Sequence, residues 1–277
     1  MYTHLLPAPL LRGPVRIAVV GCGGTGSAML GGLPYLHQAL LAWGHAGGLR
    51  VTAYDGDRVF PTNCVRQPFA QAEVGLHKSV VLVHRLNLFW GLNWEAVPQH
   101  LTATTRGFDG TDIVIGCVDT RAARAVINTL VAGPNASVYY WLDLGNDAHT
   151  GQLVIGQPLN AVNRRSRLRL RTIAELYPSI LDPSLDSDSG PSCSDLEALE
   201  RQHPFLNSTL AQHALVLLSR LFRTGIDHHA AFVNLATGRV VPAPIDPLAW
   251  QRATRRNRRI QRRREPPPHP PRSTTAA

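Results

Sequence analysis

Scarce features of this sequence limit what the protein can be. Only four of its 277 residues are cysteines, and no two of them form the C-x-x-C pair of a zinc knuckle or a thioredoxin-like site. No apolar run approaches the roughly 18 residues that a membrane span requires. The first residues, MYTHLLPAPLLRGP, lack the basic stretch and long apolar stretch of a secretory signal. We therefore expect no zinc, no disulfide framework, no membrane span and a cytoplasmic location.

Lysine is the scarcest basic residue, since Lys78 stands beside 27 arginines. Arginine presents a rigid planar group, whereas lysine presents a compact, flexible ammonium. A single lysine in a chain that otherwise uses arginine favours a need for an ammonium at that position, and chance retention is the alternative. Lys78 is therefore a candidate functional residue.

The net charge of +9 is concentrated at one end of the chain. Residues 252–277 contain nine arginines and one glutamate, whereas residues 1–251 contain 19 basic and 18 acidic residues. Because the tail joins an arginine cluster to a proline-rich end, we predict that it is disordered. Such a tail is suited to bind nucleic acid or an acidic partner through charge.

Strand and helix patterns alternate along the first 150 residues. Apolar runs predict strands at 15–20, 50–54, 95–98, 112–117, 137–145 and 151–157. Helical patterns separate them, and Gly31, Gly32 and Pro34 are expected to break the first of these near its start. The alternation predicts an α/β fold with a Rossmann-like, mostly parallel sheet and helices on both faces.

A smaller α+β region is predicted to cap this unit. It contains an arginine-rich segment at 164–171, read as an edge strand, a polar loop at 182–195, and helices at 196–202 and 205–222. A hairpin turns near Gly238. We predict an α/β domain at 1–160, a C-terminal region at 161–251 and the tail at 252–277.

The pattern Gly21-x-Gly23-x-x-Gly26 lies between the first strand and the first helix. Such a loop lets backbone amides approach a polyphosphate at a helix N-terminus. Asp55 ends the second strand, where a carboxylate accepts hydrogen bonds from ribose hydroxyls. These features serve an ATP enzyme and a nicotinamide- or flavin-dependent oxidoreductase equally well.

The residues after Asp55 favour the ATP enzyme. Arg66 and Lys78 supply cations that can stabilise the charge developing around the α-phosphate of ATP. An oxidoreductase leaves them unexplained. Asp119 follows the strand DIVIGC, at the carboxyl end of a predicted parallel strand, where it could hold Mg²⁺.

These motifs together resemble the ThiF, MoeB and HesA superfamily of E1-like activating enzymes. The resemblance rests on GCGGTGS (21–27), Asp55-x-Asp57, Asn63-x-x-Arg66-Gln67, Lys78 and Asp119-x-x-x-x-Arg124, and DLGNDAHTGQLVIG (143–156) is similar to the family's following strands. It implies ATP-dependent adenylation of the C-terminal carboxylate of a small ubiquitin-like, β-grasp protein by a homodimeric enzyme.

The resemblance also implies roles for individual residues. Asp55 would bind the ribose, while Asn63, Arg66 and Lys78 would bind the phosphates and Asp119 the Mg²⁺. The phosphate loop would be formed by Gly21, Gly23, Gly24 and Gly26. The zinc-binding C-x-x-C pairs of many ThiF and MoeB relatives are missing, which argues against a thiamin or molybdopterin role.

The second half resembles the ThiF-related protein of the plasmid-associated PRTRC cassette, through ELYPSILD (175–182) and PSCSDLEALERQHPFLN (191–207). Cys193 lies in the polar loop, where E1-like relatives can carry a thioester cysteine, so it is a candidate catalytic residue. The alternative is a loop cysteine with no catalytic role. A further alternative is a nucleic-acid-associated binding module of a plasmid maintenance system, with the tail as its working part.

Overall fold

The computed structural model describes residues 2–105, 108, 110–166, 168–186, 203–250 and 252. Residues Met1–Ile245 form one compact unit, and Asp246–Ala277 form a second. Cys193, the helix predicted at 196–202 and the tail from residue 253 lie outside the described residues. None of the described helices is both long and apolar enough to cross a membrane.

Five parallel strands form one side of an eight-stranded sheet. They are β1 (Val15–Val20), β2 (Leu49–Tyr54), β3 (Glu95–Val97), β4 (Ile113–Gly116) and β5 (Tyr140–Asn146), in the spatial order β3-β2-β1-β4-β5. The order reverses between β1 and β4, and ligands bind outside the carboxyl ends of the strands at such a reversal.

Three antiparallel strands extend the same sheet. They are β6 (Thr150–Gly156), β7 (His228–Asn234) and β8 (Arg239–Pro244), and they continue the order as β5-β6-β7-β8. The predicted α/β class with a Rossmann-like sheet is confirmed. The predicted hairpin near Gly238 is the β7–β8 connection.

The described helices are α1 (Gly24–Ala42), α2 (Lys78–Trp90), α3 (Arg121–Val131), α4 (Ile173–Leu176) and α5 (Leu206–Arg223). Short 3-10 helices occupy Ala8–Leu11, Pro61–Val65, Gln71–Glu73, Pro178–Leu181 and Pro183–Leu185.

Both faces of the sheet are covered. Ala18 and Val20 of β1 lie in a buried cluster with Ile127 and Val131 of α3. The alternate residues of β1 point to the opposite face and are also buried. The helix α1 packs against α2 and α5.

Two local predictions are wrong. The helix α1 runs unbroken through Gly31, Gly32 and Pro34, because its packing against α5 outweighs their low helix propensity. The described residues of 164–171 form no strand. Instead Arg169 donates to the carbonyl of Gln157 and to the carboxylate of Glu175, which holds this segment as a connection into α4.

Candidate functional site

The glycine loop between β1 and α1 is shaped by close backbone packing. Gly21 has φ +91°, and a Cβ added there would lie 2.7 Å from the carbonyl oxygen of Cys117. A Cβ at Gly26 would lie 1.8 Å from the carbonyl oxygen of Gly21. Gly23 precedes the first residue of α1, and a Cβ there would meet nothing within 4 Å. Gly21 and Gly26 therefore set the turn, and Gly23 leaves open space in front of the helix.

Asp55 fastens this loop to the end of β2. Its Oδ2 atom accepts a hydrogen bond from the amide of Cys22, and its Oδ1 atom accepts one from the amide of Asp57 at 2.7 Å. Burial raises the pKa of the Asp55 carboxyl, and these two amides act in the opposite direction. The carboxylate therefore stands at the junction of the first two strands, where the sequence predicts a ribose-binding group.

Lys78 begins α2 and is almost fully buried. Its Nζ atom lies 3.0 Å from Oδ2 of Asp57, and its amide donates to the carbonyl of Asp57 at 3.0 Å. The other carboxylate oxygen of Asp57 lies 3.6 Å from Nε2 of His100. The only lysine of the sequence is thus held at one position by two contacts with one residue.

A cavity of about 450 Å³ joins these elements. Seven of the residues predicted for the site line it, namely Gly21, Gly23, Gly24, Asp55, Arg66, Lys78 and Asp119. The structure thus brings together the glycine loop, Asp55, both cations and the candidate Mg²⁺ ligand.

Two predicted residues are placed outside the lining of this cavity. Gly26 packs against the backbone of Gly21, where a side chain would not fit. Asn63 lies in the 3-10 helix Pro61–Val65, where its Oδ1 atom accepts from the amide of Phe60 and its carbonyl accepts from the amide of Gln67. In this arrangement Asn63 shapes the segment that carries Arg66.

The β4–α3 connection brings Asp119 to the cavity. Asp119 is exposed, and its backbone carbonyl lies 3.4 Å from the Arg124 guanidinium. The Nε atom of Arg124 is 3.3 Å from Oδ1 of Asp143, which is fully buried on β5. Burial raises the pKa of Asp143 to about 6, and Arg124 opposes that change. Arg124 therefore ties the loop of Asp119 to the middle of the sheet.

A single carboxylate at this place fits Mg²⁺ bound together with a nucleotide. Within the described ranges, no three His, Cys, Asp or Glu side chains lie close enough to hold a metal ion by themselves. Magnesium usually keeps several waters and is held by one or two carboxylates plus substrate phosphates. Asp119 at the rim of the cavity matches that mode.

Sequence reasoning missed three polar side chains that line the cavity. The hydroxyl of Thr25 donates to Oδ1 of Asn207 at 2.8 Å. Nδ2 of Asn146 lies 2.6 Å from the same Oδ1 atom and 3.0 Å from Oγ1 of Thr25. These residues come from α1, β5 and α5, and Asn207 is 182 positions from Thr25. No local pattern marks Asn207, whereas Asn146 ends the motif DLGN.

Two of the described cysteines, Cys22 and Cys117, are poor nucleophiles. Burial raises the pKa of the Cys22 thiol well above its usual value, and it raises that of Cys117 as well. A thiol that stays protonated is a weak nucleophile. Cys193 lies outside the described residues, so its role stays a prediction.

Comparisons with known proteins agree with this geometry. Residues 13–140 match the model of the ThiF family. No curated protein matches the chain. A crystal structure of PaaA has a TM-score of 0.53 and 15% identity, over 83% of this chain and 64% of PaaA. E. coli MccB with MccA has a TM-score of 0.52 and 12% identity, over 84% of this chain and 65% of that one.

Another crystal structure, of E. coli MccB with ATP, has a TM-score of 0.51 and 14% identity, over 83% of this chain and 64% of that chain. The protein therefore spans less than two thirds of the length of these structures. At such low identity the similarity shows the fold. The ThiF match covers the glycine loop, Asp55, Arg66, Lys78 and Asp119, and it supports the E1-like resemblance.

Proposed function

We propose that the protein adenylates the C-terminal carboxylate of a small ubiquitin-like, β-grasp protein with ATP. The carrying observation is that one cavity is lined by a glycine loop at a helix N-terminus, by Asp55 and by the cations Arg66 and Lys78. A helix N-terminus and fixed cations both favour phosphate groups. The ThiF match over residues 13–140 supports the same chemistry.

The residues present suit ATP as a substrate. Gly23 leaves open space before α1, where a side chain would fill the approach to the backbone amides. In the proposed reaction a carboxylate oxygen forms a bond to the α-phosphorus, the bond to the bridging oxygen breaks, and pyrophosphate leaves with its electron pair. Arg66 and Lys78 would offset the charge that develops around the phosphorus. Mg²⁺ at Asp119 would neutralise the phosphates.

An oxidoreductase is the weaker alternative. A nicotinamide or flavin cofactor would use the glycine loop and Asp55, but it gives no reason for a buried lysine in the same cavity. MccB, whose fold this chain shares, has been crystallised with ATP and with MccA. Both complexes support a nucleotide and a second substrate for this fold.

Pyrophosphate exchange tests the proposal. Wild-type protein with Mg²⁺ and a candidate β-grasp protein encoded nearby should incorporate labelled pyrophosphate into ATP. Arg66→Ala and Asp119→Ala should each lower the exchange rate by at least about a hundredfold, because they remove charge stabilisation in the transition state. Arg223→Ala is a matched control, because Arg223, the last residue of α5, stacks on the ring of Trp43 and does not line the cavity. Unchanged exchange in both site variants would refute the assignment.

Cys193 is proposed to receive the activated acyl group: its thiolate sulfur bonds to the acyl carbon, the bond from that carbon to the phosphate oxygen breaks, and AMP leaves, which gives a thioester. The wild type, incubated with ATP and the β-grasp protein, should then form a conjugate that thiol reagents cleave, and Cys193→Ala should form none. Cys64→Ala is the control, because Cys64 belongs to the 3-10 helix Pro61–Val65, where its thiol donates to the carbonyl of Phe60. Persistence of the conjugate in Cys193→Ala would end this part of the proposal.

The proposal has three further parts, two from the family resemblance and one from the charge of the tail. The enzyme would act as a homodimer, it would belong with the PRTRC cassette through residues 175–182 and 191–207, and its basic tail would bind nucleic acid or an acidic partner. Of these, tail binding predicts an affinity that falls steeply with salt.

A further inference from the structure

The strand order places the two ends of the cavity on opposite sides of the glycine loop. Asp55 follows β2, and Arg66 and Lys78 belong to the connection from β2 to β3. Asn146 ends β5, on the other side of β1 and β4. The cationic end and the end lined by Asn146, Asn207 and Thr25 are therefore separated by the loop that follows β1.

Adenylation requires the attacking and leaving oxygens to be roughly in line at the α-phosphorus. If the pyrophosphate leaves toward Arg66 and Lys78, the carboxylate must approach from the opposite side. That side is the end formed by β5 and α5. This step rests on the proposed function.

The chemistry of this end suits a neutral chain of peptide groups. Among the described residues that line it, none carries a positive charge. A carboxylate entering here is thus not held by an ion pair, which would lower its reactivity. Asparagine amides can instead hydrogen-bond to main-chain groups that precede the carboxylate.

The three side chains are rigidly held by one another. Thr25 and Asn207 are buried, and the Nδ2 atom of Asn146 contacts both of them. The network uses the Nδ2 atom of Asn146, so the Oδ1 atom of this side chain can accept a hydrogen bond from an N–H group of a ligand. A Cβ at Gly24 would lie 2.1 Å from Nδ2 of Asn207, so the wall of the cavity is tight at this point.

We propose that Asn146, held in place by Asn207 and Thr25, positions the peptide end of the acyl substrate and makes no contribution to nucleotide affinity. Both asparagines lie beyond residue 140, where the ThiF match ends. Specificity for the second substrate would thus be set by β5 and α5, outside the matched segment.

Two ligands that differ only in the acyl part test this inference. The probes are 5′-sulfamoyl adenosine and its N-glycylglycyl derivative, a stable mimic of an acyl-adenylate, and ATP is titrated separately. The wild type should bind the acylated probe at least tenfold more tightly than the unacylated one. Asn146→Ala should reduce this ratio to below threefold and leave the Kd for ATP within twofold. Asn207→Ala should reduce the ratio as well, because Asn207 holds Asn146.

Ser208→Ala is the matched control, because Ser208 is exposed on the first turn of α5 and its hydroxyl donates a hydrogen bond to the carbonyl of Phe205. It should behave as the wild type. Asn207→Ala removes a contact between helices, so Asn146→Ala, which changes an exposed residue, keeps the test independent of folding.

Three results would overturn the inference: no preference for the acylated probe in the wild type, a preference kept in Asn146→Ala, or an equal loss of ATP and probe affinity. Failure of the proposed function has a different signature. In that case the wild type would show the acyl preference and yet catalyse no pyrophosphate exchange with any β-grasp protein.

Discussion

Glycines of the loop and of helix α1 carry different constraints, although they look alike in the sequence. A Cβ at Gly26 would overlap the carbonyl oxygen of Gly21, which is backbone and cannot move aside cheaply. Gly31 is exposed in the interior of α1, and a Cβ there would meet nothing within 4 Å. The first glycine is required by packing, and the second is a weak point of the helix.

This difference predicts opposite effects of the same substitution. Gly26→Ala should lower the free energy of unfolding by about 1–3 kcal/mol through overpacking and should weaken ATP binding. Gly31→Ala should raise it by up to about 1 kcal/mol through helix propensity and leave ATP binding unchanged. Urea unfolding and nucleotide titration measure both. Equal effects at the two positions would contradict the packing argument.

Lys78 shows how one residue type can be selected by its surroundings. Its ammonium reaches Asp57 from a side chain that is 8% exposed, at the first position of α2. An arginine in its place would bring a guanidinium group, which needs room for a planar fork with five hydrogen-bond donors. The scarcity of lysine in the sequence pointed to this position, and the structure shows the ion pair that holds it.

At the scale of elements, the contact between α1 and α5 joins the two halves of the chain. A Cβ at Gly32 would lie 2.1 Å from a terminal methyl of Leu215. The same pair of helices carries Thr25 and Asn207 into the cavity. The spacing between α1 and α5 therefore also sets the geometry of the site.

A double-mutant cycle tests this contact. Gly32→Ala should be destabilising alone, because Leu215 must move out of a rotamer minimum. In the Leu215→Ala background the same change should cost less, giving a coupling energy of about 0.5–3 kcal/mol from urea unfolding. Additive effects of the two substitutions would show that the helices are not in close contact.

At the scale of the whole molecule, the N-terminal segment is pinned to the centre of the sheet. The backbone of His4 pairs with Ile226, and its Nε2 atom lies 2.7 Å from the hydroxyl of Tyr140 on β5. Burial lowers the pKa of His4 to about 4, and burial likewise lowers that of His229 to about 4. Both imidazoles are neutral in the folded protein at pH 5.

The lowered pKa values of these two histidines predict that acid destabilises the folded protein. Between pH 6.5 and 4 the unfolded chain binds protons at His4 and His229 that the folded protein does not, so stability falls as the pH falls through this window. His4→Gln should reduce the slope of unfolding free energy against pH by up to about 1.4 kcal/mol per pH unit.

The comparison of variant and wild type isolates the histidine effect. Asp143 acts with the opposite sign, because its raised pKa of about 6 makes the folded protein hold a proton that the unfolded chain releases above pH 4. This contribution is the same in both proteins and cancels in the difference. An unchanged slope in His4→Gln would mean that His4 is protonated in the folded state.

Local patterns in the sequence were sufficient for much of the fold and for most of the cavity. The runs VRIAVV and DIVIGC predict β1 and β4, since continuous apolar residues are what a parallel strand buried on both faces requires. The glycine loop, Asp55 and Asp119 follow strands directly, so their meeting at one edge of the sheet follows from the strand–helix alternation alone.

Long-range contacts required the tertiary structure. Propensity predicts that α1 breaks near Gly31 and Pro34, but packing against α5 outweighs it. The Arg124–Asp143 ion pair and the Thr25–Asn146–Asn207 network join residues far apart in the chain, and Asn207 belongs to a helix whose place against α1 no nearby residue specifies. By itself, the sequence thus determined the end of the cavity formed by the glycine loop, Asp55 and Asp119, where each group follows one strand. Only the tertiary structure decided the opposite end, because its residues meet through helix packing.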